Sequence, residues 1–149
     1  TLNKYVLVER HNNPVLESVA EKAERIIESW RKKTKDFVEV YKESAALFNE
    51  IDGNKERQRS LGFTDFEFAV LLALEEAAGG SDELAYQVKD LCRRIKEQLF
   101  PDWNVQSSAR KNVGKEIREF VRKLKLKRET LNKVSETLYE RTTKYGEKD

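Results

Sequence analysis

Between Asn104 and Arg128 nine lysines and arginines stand against two carboxylates, Glu116 and Glu119. Five of the nine, Lys111, Lys115, Arg118, Arg122 and Lys125, recur at steps of four, three, four and three residues. On a helix that spacing lines the cations up as one stripe. Such a row suits electrostatic recognition, because it can follow a phosphate backbone or meet an acidic protein surface. The bland alternative is a solvated helix face that serves solubility. No aromatic platform is interleaved with the cations, so stacking on single-stranded nucleic acid is not expected. No helix-turn-helix or zinc finger accompanies them to read bases. Glu116 and Glu119 flank the stripe, and Arg118 and Arg122 can pair locally with Glu119 and Glu116.

Bond-making chemistry finds little support in the remaining residues. General acid–base catalysis most often uses histidine, and the chain has one, His11, beside a helix start and without evident partners. The one cysteine, Cys92, falls on an apolar stripe and reads as a small buried hydrophobe. No Cys/His cluster has zinc spacing, and no Gly-rich loop ends in the Lys-Ser/Thr of a phosphate cradle. Asp52-Gly53-Asn54 lacks the alternating carboxylates of a calcium loop. Pro101-Asp102 followed by Glu116-Ile117-Arg118 faintly echoes a metal-dependent nuclease. That chemistry needs carboxylates and a lysine on adjacent strands around a metal. Here Glu116 lies mid-helix and Arg118 stands in the lysine's place, so no catalytic residue, no metal and no cofactor are expected in this chain.

The elements that must position the stripe are helical throughout. Asn13-Pro14 opens a helix with Asn13 as cap. Leu16, Val19, Ala20, Ala23, Ile26, Ile27 and Trp30 continue it at helical steps. Phe37, Val40, Tyr41, Leu47, Phe48 and Ile51 form a second stripe in phase with the first, with a break expected near Lys33–Asp36, where Asp36 and Glu39 resemble a capping box. That helix is expected to end at Asp52-Gly53-Asn54 or to run on to Arg59. In "GFTDFEF" Thr64 caps, Glu67 reaches back, and Phe63 can staple onto Phe68. The helix that follows is apolar on most sides, so it is expected to be central. Gly79-Gly80 stops it, Ser81 starts the next, and Pro101 ends that one. Val105, Ala109, Val113, Ile117, Phe120, Val121 and Leu124 give the basic helix an inward side, with Asp102, Asn104 or Ser107 as its cap. Leu131, Val134, Leu138 and Tyr145 mark a last helix. Trp30 and Trp103 are both expected in the core. The fold class is all-α, a bundle of five to six helices with short loops.

The chain has 149 residues, which fits one helical domain, 1–149, with residues 1–12, including Tyr5-Val6-Leu7-Val8, as a strand-like tether. Net charge is +2 overall, yet residues 102–149 carry +5 and residues 1–101 carry −3. That asymmetry points to an acidic partner. No apolar run approaches a membrane span, and a lone thiol suits a reducing compartment, so a cytoplasmic location and no membrane partner are expected.

Three segments, in order, carry a family resemblance: "NNPVLESVAEKAERIIESW", "LGFTDFEFAVLLAL" and "DWNVQSSARKNVGKEIREFVRKL". The chain resembles the C-terminal region of type I restriction enzyme R subunits (HsdR). It departs from that pattern at Gln106-Ser107-Ser108, where the family often carries more arginines, and after Leu124. The resemblance implies a fragment of a larger subunit that uses ATP and Mg2+ in nuclease and translocase domains upstream. It further implies a non-catalytic assembly module that holds that subunit on the methyltransferase core, with the upstream motor domains as a second partner. Two rival roles remain open: a module touching the duplex DNA backbone, and a structural spacer on the motor domains.

Overall fold

A computed structural model describes residues 13–33 and 35–147. Among these residues there are seven α-helices and no strand. His11 and the proposed tether at 1–12 lie outside the described residues. The chain separates into two compact units, residues 1–62 and 63–149.

The first unit holds α1 (Pro14–Ser18), α2 (Ala20–Lys32) and α3 (Phe37–Leu61). Asn13 caps α1 as expected: its Oδ1 accepts from the N–H groups of Val15 and Leu16 at 2.9 and 3.3 Å. The helix then breaks where the apolar pattern runs on. Ser18 turns its hydroxyl onto the Val15 carbonyl at 2.6 Å, competing with the helical ladder. Val19 leaves helical geometry at φ −108°, ψ 5° and is buried, and α2 restarts behind it. The break between α2 and α3 falls where expected. Lys33 closes α2 in the left-handed region, and the Asp36 carboxylate accepts from the Glu39 N–H at 2.8 Å.

α3 continues past Gly53 for two more turns. Glu56 pairs with Arg59 at 2.8 Å, and Gly62, at φ +66°, takes the left-handed cap position with its N–H on the Arg59 and Gln58 carbonyls. Of its 25 residues only Leu47 and Ile51 are buried. α3 packs against α2 and α1.

The second unit holds α4 (Asp65–Ala78), α5 (Asp82–Lys96), a 3-10 turn (Trp103–Val105), α6 (Ser107–Arg122) and α7 (Arg128–Tyr145). α4 packs on α5 and α7, and α6 packs on the same two, so the four helices close a ring. α4 starts as its sequence dictates: the Thr64 hydroxyl accepts from the Glu67 N–H at 3.2 Å and Glu67 accepts from the Thr64 N–H at 2.9 Å. Phe66, Phe68, Ala69, Val70, Leu71 and Leu74 are all buried. Each large side chain so buried contributes about 1.5–3 kcal/mol. Gly79 ends the helix, and Ser81 caps α5 through the Leu84 N–H at 3.1 Å.

The entry to α6 differs from expectation. α5 stops at Lys96 with Glu97 as cap, before Pro101 is reached. Trp103 is 1% exposed and meets the Tyr139 ring edge-on at 5.6 Å. Seating that indole turns the backbone at Asp102 into the left-handed region (φ 63°) and winds Trp103–Val105 into a 3-10 turn. Neither Asp102, Asn104 nor Ser107 caps α6: Gln106 holds the cap position without a side-chain bond, and Ser107 is the first helical residue. Val105 faces solvent instead of the core.

Candidate functional site

α6 separates its apolar and charged residues onto opposite sides. Ala109, Val113, Ile117, Phe120 and Val121 are buried. With 3.6 residues per turn, Lys111, Lys115, Arg118 and Arg122 fall within an arc of about 60° on the far side. All four are exposed. Their row is about 16 Å long at 1.5 Å per residue, against a screening length of about 8 Å at physiological salt. A partner therefore meets an extended row of charge.

Lys125 does not continue this row. The N–H groups of Lys123, Leu124 and Lys125 reach back only three residues, to Phe120, Val121 and Arg122, at 3.2, 3.0 and 3.2 Å. This tightened turn closes with Lys125 in the left-handed region, φ 57°. Lys125 is exposed beyond the helix end, out of register with the other four.

The carboxylates beside the stripe go elsewhere. Glu116 meets Arg94 of α5 at 3.4 Å and the Gln98 amide at 3.5 Å, and Glu119 meets Lys115 at 4.0 Å. The pairing of Arg118 and Arg122 with Glu119 and Glu116 that the spacing allows is not among these contacts. Glu116 is drawn inward because it is half-buried at the α5–α6 contact, where Arg94 reaches it. Lys111, Arg118 and Arg122 have no ion pair among the described residues, and the exposed Lys115–Glu119 contact is worth little.

Along α5 the charges balance one another. Arg93 donates to Asp90 at 2.7 Å and to Glu97 at 2.9 Å, and Arg94 approaches Asp90 at 3.3 Å. The hydrogen bond from Arg93, helped by the charges of Arg94, Arg93 and Lys123, holds the Asp90 carboxyl below its ordinary pKa, against some desolvation. The outer face of α6, by contrast, carries cations that neighbouring carboxylates leave largely uncompensated.

The chain's three resemblance segments fall on local landmarks: the Asn13 cap with α1 and α2, the Gly62 and Thr64 caps with α4, and the Trp103 turn with α6. A family model described as type I restriction enzyme HindI endonuclease subunit-like, C-terminal, matches residues 2–147. The chain belongs to that family. No curated protein and no solved structure matches it. The HindI-like family is the C-terminal region of a restriction endonuclease subunit, which turns attention to the nuclease-like letters. Asp102 is exposed in a left-handed turn, and Glu116 is engaged by Arg94 in mid-helix. Among the described residues no group of three or more His, Cys, Asp or Glu could hold a metal. Cys92 is buried. No helix among the described residues is long and apolar enough to cross a membrane.

One surface was missed in the sequence. Trp30, placed there in the core, is 53% exposed, and Phe37 and Tyr41 are exposed with it. The stripe they continue is real, but α1, α2 and α3 do not cover its middle. The signal that marks the uncovered part is the basic run Arg31-Lys32-Lys33 and Lys35 beside the rings.

Proposed function

We propose that this chain is a non-catalytic docking module, which holds a nuclease and ATP-driven translocase subunit on the methyltransferase core of a type I restriction complex. The observation that carries the reading is the row Lys111, Lys115, Arg118 and Arg122, exposed on one face of a rigidly packed helix and largely free of internal carboxylates. Four like charges held on one face raise the free energy of the isolated domain and are relieved by an acidic surface. Charge of this kind accelerates and orients encounter more than it sets affinity. Lys125, off the helix, extends the positive surface at its C-terminal end.

The same row also fits duplex DNA phosphates, so the test must separate the two. The 149-residue chain is titrated with purified methyltransferase core and with duplex DNA, each at two salt concentrations. Docking predicts binding to the core that persists at the higher salt and is slowed when Lys111, Lys115, Arg118 and Arg122 are changed to glutamate. Binding to DNA alone, falling steeply with salt, overturns docking in favour of a phosphate grip. Binding to neither leaves a spacer packed on the motor domains.

A further inference from the structure

Among the described residues seven large hydrophobic side chains are exposed, and four of them, Trp30, Phe37, Val38 and Tyr41, cluster where α2 turns into α3. Their exposures are 53%, 66%, 57% and 66%. The rings hold one another in place: Trp30 meets Phe37 edge-on at 5.9 Å, and Phe37 lies near-parallel to Tyr41 at 6.3 Å. Beside them Ile27, Trp30, Arg31, Lys33, Lys35 and Asp36 line an open groove of about 800 Å³. A preordered aromatic patch rimmed by charge is what an interface centre requires, since less side-chain freedom is lost on binding.

The charges select the occupant. Glu28 is held by Arg31 at 3.6 Å and Lys32 at 3.3 Å, and Glu43 is held by Lys35. Asp36 caps α3. Among the described residues Lys33 and Lys42 have no ion pair, and five cations at the corner (Arg31, Lys32, Lys33, Lys35 and Lys42) stand against four carboxylates (Glu28, Asp36, Glu39 and Glu43), a positive excess. Val38 offers no ring face to a nucleobase, and the Asp36 carboxylate, which lines the groove with Trp30 and Lys35, repels phosphate. A two-fold contact between copies would set the same excess cations against each other. An apolar helix ridge flanked by carboxylates satisfies both the rings and the lysines.

We infer that the α2–α3 corner is the affinity anchor of the docking module, taking an acidic amphipathic helix of the methyltransferase core onto Trp30, Phe37 and Tyr41 with Lys33 and Lys42 at its rim. This rests on the docking reading above and divides the labour: α6 governs the rate of arrival, and the aromatic corner governs residence.

The test measures association and dissociation rates of the 149-residue chain with purified methyltransferase core. Trp30→Ala combined with Tyr41→Ala should speed dissociation by about 30-fold or more while association changes little. Lys33→Glu with Lys42→Glu, which removes no packing, should weaken binding by about 10-fold. Both pairs lie on the surface, so circular dichroism should be unchanged. If both pairs bind as wild type while the α6 reversal slows association, the anchor is overturned and the docking reading survives. If the corner variants dissociate fast and the α6 reversal has no effect, the anchor stands and the stripe loses its role. A core that binds no form of the chain overturns both. Two further outcomes sink the anchor with core binding intact. One is an oligo-dT affinity lost in the Trp30/Tyr41 pair, which assigns the corner to nucleic acid. The other is a wild-type dimer dissolved by that pair in sedimentation, which assigns it to a second copy.

Discussion

α3 and α4 show how differently two helices use apolar residues. α3 is 25 residues long and buries two of them; α4 is 14 long and buries six. α4 stands in a ring with α5, α6 and α7, so neighbours cover it on more than one side. α3 is covered along one stretch by α1 and α2 and projects aromatic side chains from its first turns. Periodicity tells which face of a helix is apolar. Whether that face is covered depends on how many neighbours the unit can supply, and three short-to-long helices supply fewer than four of similar length.

The sharpest way to break this comparison is to truncate the two tryptophans. Trp103→Ala should destabilise by about 3–5 kcal/mol, as a fully buried ring does. Trp30→Ala should lose only ring contact, about 0.5–1.5 kcal/mol. Denaturant melts of both variants decide it, and equal losses would mean that the α2–α3 corner is core after all. Glycines give the next contrast. A Cβ at Gly146 would lie 2.6 Å from the Thr142 carbonyl oxygen and 2.9 Å from Leu99 Cδ1, so Gly146→Ala should cost about 1–3 kcal/mol. At Gly53 in α3 a Cβ meets nothing within 4 Å, so Gly53→Ala should stabilise by about 0.5–1 kcal/mol through better helix propensity. A melt shifted downward by Gly53→Ala would show that α3 is interrupted there.

A cap gives an effect of similar size. Thr64→Ala removes one side of the reciprocal pair with Glu67 and should cost about 1 kcal/mol in a thermal melt. The smallest effect is on pH. The folded-state pKa of Asp90 is lowered, so its contribution is present above the ordinary carboxylate value, about 3.9, and fades as pH falls through the lowered one. The pair is exposed, so the slope is slight. Asp90→Asn should flatten the part of the acid stability curve below about pH 4 that Asp90 owns, and an unchanged curve would remove it from the account.

Much of the fold was legible because its signals are local. Asn13-Pro14, Thr64 with Glu67, Gly79 and Ser81 each satisfy orphan backbone groups within four residues, and each does so in the structure. Trp103 was legible from its place at a turn. The all-α class follows from the same periodicity; seven α-helices stand against the five to six expected, and one extra helix arises where Ser18 interrupts the first. What the sequence did not reveal depends on distant contacts. The start of α6 is set by the indole seated against Tyr139, which overrides three polar candidates. The fate of Glu116 is set by Arg94, 22 positions earlier in the chain. Four of the five stripe residues keep their register; Lys125 loses it where a three-residue turn closes the helix. The aromatic corner escaped because apolar spacing marks a face without recording whether a neighbour covers it, and only the basic run Arg31-Lys32-Lys33 beside it signals exposure.

The chain has two tryptophans, one sealed beside Tyr139 and one open to water. Sealed indoles emit toward the blue and shrug off dissolved iodide; open ones emit redder light and are quenched on collision. A single cuvette can thus follow two events with separate colours, the melting of the four-helix ring and the shielding of the α2–α3 corner by whatever settles on it, without attaching any dye.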